Sequence, residues 1–485
     1  MNTCPGPNSV TSPAANRRDF LRTAGGGFGL LALQAMLGRE GLLASPAPTP
    51  VHVANPLAPR GPHFDAPAKN VIFLFMSGGP SHVDLFDYKP DLIRLAGKPI
   101  PESFGKFKTR RKVAGNNLLG PLREFRPRGQ SGTQVSEWLP NIAECMDDIC
   151  LLRGCHGDSV THPESVYLMN TGSILMGRPS LGSWAAYGLG SENQNMPAFV
   201  VMPDSKGWVK GGAPAWGNGY LPATYQGTIL RGGDAPILNL NTPEGISDRQ
   251  QRDTVSLINQ LNRQNLPPGG ENSPLAARIS AYELAFRMQS HAHEVVATSG
   301  ESPATRKLYG LDNSTTTDFG TRCLLARRMV ERGVRFVQLY CGNTNGWDGH
   351  SKMDSNHSQL CAQSDLPIAG LLKDLKSRGM LDSTLVVWGG EFGRMPMSEG
   401  SDGRDHNPHG FSMWLAGGGV KGGQALGATD PVGLRAEQDK MHVHDIHATL
   451  LHLLGFDHTN LTYHHNGRED RLTDVFGDVI RKVIA

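Results

Sequence analysis

No CxxC pair occurs among the seven cysteines of this 485-residue chain, which excludes a zinc ribbon and a thioredoxin-like redox site. Their number is odd; Cys145, Cys150 and Cys155 lie closest together, but no pairing follows from spacing. Charge of either sign is also in short supply. Charged residues make up 19% of the chain, below the usual quarter or so. The formal net charge of +2 gives no bulk field for nucleic acid. Beyond the N-terminal region no stretch reaches 18 apolar residues, so no membrane span is expected in the mature chain. No internal repeat is visible. Glycine (59) and proline (33) are abundant, together about a fifth of the residues against roughly 12% in typical chains. That excess predicts many ordered loops.

The N-terminus is read first as an address. Residues 16–22, "NRRDFLR", precede "AGGGFGLLALQAML". A twin Arg, then Phe-Leu, then an uncharged run of modest hydropathy resembles a twin-arginine export signal. The run is too short to cross a hydrocarbon core of about 30 Å comfortably. "LLASPAPTP" offers small residues for cleavage near Ala44 or Ala47; a retained anchor is the other reading. Residues 1–45 are therefore expected to be a signal peptide, 46–68 a Pro-rich linker, and 69–485 one large domain. The protein is expected in the periplasm or outside the cell, with the twin-arginine translocase as its partner during export.

Within the domain, short apolar runs end in glycine or polar residues: "NVIFLFM" (70–76), "DICLLRG" (148–154), "AFVVMP" (198–203), "VRFVQLYCG" (334–342), "TLVVWGG" (384–390) and "FSMWLAGGG" (411–419). They read as buried strands. Helical spacing marks 319–333, 361–379 and 444–455, the last two stopped by Gly379 and Gly455. Strands alternating with helices predict an α/β fold, a three-layer sandwich around a mostly parallel sheet. Two segments break the rhythm. Residues 97–135 hold nine Lys or Arg against two Glu, and 204–316 are rich in Gly, Asn and Pro. Both read as insertions over the sheet's ligand edge. The first is either a solvated loop or a funnel for an anionic substrate.

Ligands of open α/β sheets sit beyond the carboxyl ends of the strands. Four strand ends here carry carboxylates and imidazoles together. They are "SGGPSHVDLFD" with Asp84 and Asp87, "CHGDSVTHPES" with Thr161 and His162, "NTNGWDGHSKMDSNH" with Asp348 and His350, and "GGEFGRMPMSEGSDGRDHNPHGF" with Glu391, Arg394, Asp405, His406 and His409. Converging in such a fold, they would form a pocket of oxygen and nitrogen ligands for a divalent ion.

"GWDGH", the helix containing "SDLPIAGLLKDLKSRG" and the strand ending in "WGGEFG" resemble the metal-binding segment of the alkaline phosphatase superfamily, which includes sulfatases. "KGGQALGATD…VHDIHATLLHLLG" resembles its closing segment. From about residue 65 to 485 the chain more specifically resembles the exported bacterial family known as domain of unknown function 1501. "FMSGGPSHVDLFDYKP", "GRDHNPHGF" and "LTYHHNGREDRLTDV" carry that likeness. The resemblance implies an alkaline-phosphatase-like sandwich with loop-rich insertions and a divalent metal (Zn, Mn, Mg or Ca). Asp348 and His350 match one metal's ligands, Glu391 the carboxylate after the strand, and His406, or His409 in its place, a late histidine ligand. Asp405 either ligates or orients His406. Asp84 is a ligand candidate near the first strand, whose Gly turn reads "SGG" where the superfamily has an Asp.

The sulfatase pattern C/S-x-P-x-R is missing. "THPESVYLMNTG" matches the phosphatase layout around the nucleophile, and counting back reaches His162 with Thr161 beside it. Either Thr161 is a covalent nucleophile, or water attacks with His162 as ligand or base; Ser159 is expected to point away. Arg394 is either an oxyanion clamp or the partner of an acid. The resemblance implies a metal-dependent hydrolase of phosphate or sulfate esters, acting on a small anionic ester or a sulfated or phosphorylated glycan. A non-catalytic metal- or glycan-binding protein on the same scaffold is the alternative, and a glycan lyase is a third reading.

Overall fold

The computed structural model describes residues 55–231, 245–266, 274–343 and 346–485. The expected signal peptide, its cleavage sites and residues 46–54 of the linker lie outside the described residues. The strands that position the site are β1 (Asn70–Met76), β2 (Ile149–His156), β3 (Phe199–Met202), β4 (Thr228–Ile229), β5 (Phe336–Cys341), β6 (Thr384–Gly389), β7 (Gly393–Glu399), β8 (Gly403–Asn407), β9 (Phe411–Ala416), β10 (Gln424–Leu426) and β11 (Met441–His442). The main helices are α1 (His162–Thr171), α2 (Leu181–Leu189), α3 (Asp248–Gln264), α4 (Pro274–Val296), α5 (Thr317–Glu331), α6 (Met353–Ser377) and α7 (Val443–Leu453).

Nine strands form one sheet in the order β10–β2–β9–β6–β1–β5–β3–β4, with β11 also paired to β2. All pairings are parallel except those of β9, which runs antiparallel to β6 and β2. The expected α/β sandwich is therefore present, and eight of the strands deliver their carboxyl ends to one edge. β1 explains the layering. All seven of its residues are buried, and successive side chains alternate faces. Ile72, Leu74 and Met76 join a core with Leu324 of α5 and Leu371 of α6. Val71, Phe73 and Phe75 join a second core with Trp184 of α2 and Leu450 of α7. Each such side chain contributes roughly 1.5–3 kcal/mol by leaving water. No helix among the described residues is long and apolar enough to cross a membrane. The six described cysteines are buried and unbridged.

One helix differs from its expected bounds. α6 begins at Met353, eight residues before the expected 361. "DSNHSQL" is polar, and its helical turn is held by packing: His357 is fully buried, its ring 5.1 Å from that of Trp347. The turn after β1 depends on glycine. Gly79 has φ +79°, and a Cβ there would come 2.5 Å from Phe392 Cδ2, so only glycine lets this turn close under Phe392.

Candidate metal centre

Three imidazoles converge on one carboxylate at the sheet's carboxyl edge. Asp348 follows β5, His350 lies two residues on, His406 is in the hairpin β7–β8, and His162 opens α1. Asp348 Oδ1 lies 2.9 Å from His350 Nε2 and 3.0 Å from His406 Nε2, and Oδ2 lies 2.9 Å from His162 Nε2. The two Nε2 atoms of His350 and His406 are 3.0 Å apart.

Each ring is held from behind through Nδ1. His162 Nδ1 is 2.8 Å from Glu391 Oε1, His350 Nδ1 is 2.5 Å from Glu399 Oε2, and His406 Nδ1 is 2.6 Å from the Val160 carbonyl. All three partners accept, so each Nδ1 carries the proton and each neutral ring turns an Nε2 lone pair inward. His162 Nε2 is buried and, despite its closeness to Asp348, is not aligned for a hydrogen bond. Lone pairs facing one another around a carboxylate repel unless a cation lies between them. This donor set fits a divalent ion, which His–Nε2 and carboxylate oxygen bind at about 2.0–2.2 Å.

Burial is the largest influence on His406 and pushes its pKa down to about 2, aided by the Arg394 charge. Burial alone would raise the Asp348 carboxyl, but the closeness of the His162, His350 and His406 rings and the Arg394 charge outweigh it and hold it far below the usual range. Phe392 closes the apolar side, its ring 4.4 Å from that of His406 and 5.0 Å from that of His162.

The expected residues separate into those at the cluster and those behind it. Asp348, His350, His406 and His162 form the cluster. Asp405 is adjacent: with His350 and His406 it can offer donor atoms all within 4.8 Å of one another. Its oxygens already accept from the His406 and Arg111 backbone N–H groups at 2.8 and 2.7 Å. Glu391 is placed differently from the ligand expected. Both of its oxygens accept from the Gly78 N–H, at 2.9 and 3.1 Å, while Oε1 holds His162; it braces a histidine against the first Gly turn.

Asp84 is also elsewhere. It is fully buried against Arg404, with Nε to Oδ2 at 2.8 Å, and also accepts from Ser81 Oγ at 2.5 Å and Leu122 N at 2.9 Å. Its oxygens are filled by this buried ion pair. Arg394 is not an open oxyanion clamp. It is fully buried and donates to the carbonyls of Gly78, Gly79 and Arg404 and to Asp348 Oδ1 at 2.8 Å. It is the partner of an acid, the other reading open from sequence. His409 Nε2 meets the Lys108 carbonyl at 3.1 Å. The Thr161 hydroxyl lies 3.2 Å from Ser159 Oγ, which in turn donates to Glu164.

Sequence reasoning missed Glu399, Lys210 and Phe392. Glu399 was legible: "GRMPMSEGSDGRDHN" reads as a hairpin around a Gly-containing turn, and Glu399 pairs with Gly403 across it. Lys210, whose Nζ donates to Asp348 Oδ2 at 2.8 Å, comes from the segment 204–316 and carries no local signal. Arg111, from the basic segment, lies 3.2 Å from Glu399.

No curated protein matches the chain. Among solved structures it is similar to the PsFucS1 sulfatase from Pseudoalteromonas sp., with a TM-score of 0.33 and 13% identity over 81% of this chain and 68% of that one. It is also similar to the lipoteichoic acid synthase LtaP from Listeria monocytogenes, at 0.32 and 10% over 83% and 77%. The alkaline phosphatase from the Antarctic bacterium TAB5 gives 0.29 and 14% over 73% and 92%. Likeness at this level says nothing of chemistry. The family profile described as protein of unknown function (DUF1501) matches residues 68–484, and the chain belongs to that family.

Proposed function

We propose that this chain is an exported, metal-dependent hydrolase of phosphate or sulfate esters, related to the alkaline phosphatases and sulfatases. The observation that carries the reading is the inward convergence of three Nε2 atoms on Asp348, each ring locked through Nδ1. His162, His350, His406 and Asp348 would hold the ion. A nitrogen-rich set favours Zn²⁺ or a similar transition metal over Mg²⁺ or Ca²⁺, which prefer oxygen. Such an ion supplies Lewis-acid charge where an anionic ester meets the site.

The chain's own groups supply the rest. Arg394 and Glu391 fix Asp348 and His162 to the turn after β1. Lys210 is about a quarter exposed and donates one of its three N–H groups to Asp348, which leaves two for an anionic group. The Thr161 hydroxyl is engaged with Ser159, so the arrangement supports attack by water rather than by Thr161. The motif "NRRDFLR", which resembles a twin-arginine signal, supports export of the chain already folded. The second reading, a non-catalytic metal- or glycan-binding scaffold, is favoured by the complete use of Arg394 within the fold.

The experiment is a screen of metal-replete protein against para-nitrophenyl phosphate, its diester and para-nitrophenyl sulfate, with Thr161→Ala and His162→Ala alongside. The expected result is turnover of one ester, nearly unchanged in Thr161→Ala and severely reduced in His162→Ala. A loss of orders of magnitude in Thr161→Ala with metal retained would identify a covalent nucleophile instead. No hydrolysis by metal-replete wild type would favour the scaffold.

A further inference from the structure

A cavity of about 550 Å³ opens beside the N-terminus of α7, lined by none of the histidine cluster's residues. Asp158, His442, His444, Arg471, Phe476 and Asp478 are among the residues that line it. Its volume falls within the roughly 300–1,000 Å³ of small-molecule sites. One wall is an aromatic platform. The Phe476 side chain is 58% exposed, an unusual place for a large apolar ring. It stacks on His444 with centroids 5.2 Å apart and planes within 8° of parallel.

The platform is fixed from beneath. His444 Nε2 bonds to the Gly172 carbonyl at 2.8 Å, and its buried Nδ1 has no partner among the described residues. Asp445 accepts from the backbone N–H groups of His442 and Asp478, both at 2.8 Å, tying the Phe476 loop to the start of α7. Gly477, at φ +97°, allows the close approach: a Cβ there would lie 2.9 Å from the His444 carbonyl.

The charges select the ligand. Three carboxylates, Asp158, Asp445 and Asp478, face one guanidinium, Arg471, so an anionic ester is disfavoured here. Asp158 takes His442 Nε2 on Oδ1 at 3.1 Å, and its side chain is 54% exposed, leaving Oδ2 to accept from a ligand. An exposed ring face flanked by carboxylates and imidazoles suits a pyranose, whose C–H face packs on an aromatic ring while its hydroxyls donate to carboxylates. We infer that this cavity binds a pyranose ring of an uncharged or amine-bearing sugar, with Phe476 as the platform and Asp158 as a hydroxyl acceptor. The site is separate from the histidine cluster and does not depend on ester hydrolysis.

The test is isothermal titration of the full chain with methyl β-glucopyranoside, methyl β-galactopyranoside, N-acetylglucosamine, glucosamine and glucose 6-sulfate. The variants are Phe476→Ala, Asp158→Asn and His350→Ala, each checked for an unchanged melting profile. At least one of the four non-anionic sugars should bind saturably. That affinity should weaken about tenfold in Phe476→Ala, fall in Asp158→Asn and persist in His350→Ala, with glucose 6-sulfate binding no tighter. Any one of four results would overturn the inference: no saturable binding of those four sugars, undiminished binding in Phe476→Ala, preference for the sulfated sugar, or loss of binding in His350→Ala.

Discussion

Replacing Asp84 by alanine separates two accounts of this carboxylate, metal ligand or structural anchor. Both Asp84 and Arg404 have side chains with no solvent exposure. Arg404 binds Asp84 through Nε and Nη2 at 2.8 and 3.2 Å. It also donates to the carbonyls of Leu119, Gly120, Met395 and Pro396. The pair thus clamps the basic segment onto β7. Removing the carboxylate leaves a buried guanidinium without its counter-charge, which costs about 3–5 kcal/mol. Replacing both partners, as Asp84→Leu with Arg404→Met, should recover most of the loss, because an apolar pair of similar volume is often neutral or better. Burial pushes the Asp84 carboxyl up, but the Arg404 charge and hydrogen bonds prevail and hold it below its ordinary value. Its contribution is therefore complete above the ordinary carboxylate range and is lost as pH falls through the lower folded value. Urea denaturation at pH 7, with metal content measured on the same samples, reads the full effect. A variant as stable as wild type to within about 0.5 kcal/mol that has lost its metal would refute the reasoning and return Asp84 to the ligands.

The remaining predictions concern acid and export. Burial pushes His357 and His447 down to about 3 and His406 down to about 2. Below about pH 6.5 the unfolded chain protonates these rings and the folded chain does not, so stability should fall as pH drops, with each ring contributing up to about 1.4 kcal/mol per pH unit; flat stability between pH 6 and 4 in urea titrations would contradict their neutral burial. Arg17→Lys with Arg18→Lys should leave the protein in the cytoplasm by fractionation, and unchanged periplasmic recovery would show that "NRRDFLR" is not the export signal.

Much of the fold was legible because burial on both faces of a parallel sheet writes itself as continuous apolar runs. "NVIFLFM" and "TLVVW" could hardly be anything else. The convergence of strand ends followed from that sheet; in the structure Asp348, His350 and His406 lie together with His162, while Glu391, expected as a ligand, stands behind His162. What could not be read was which polar residue faces the centre and which stands behind it. Glu391 and Arg394 follow β6 directly, at the ligand edge of the sheet, yet their side chains are spent on Gly78, Gly79 and their neighbours, a pairing set by the three-dimensional path of the first Gly turn. Asp84 was drawn to the metal by its place after β1, but its partner Arg404 lies 320 residues away, and no local pattern announces a buried ion pair over that separation. Lys210 comes from a segment whose composition signals only loop.

The central claim is that the three imidazoles and Asp348 hold a divalent ion. Elemental analysis of the purified protein tests it most directly, with wild type beside the double variant His350→Ala, His406→Ala. The account predicts about one to two equivalents of a divalent transition metal in the wild type, and its near-complete loss in a variant that remains folded. Stoichiometric metal retained by the folded double variant, or none taken up by wild type offered Zn²⁺ or Mn²⁺, would contradict it.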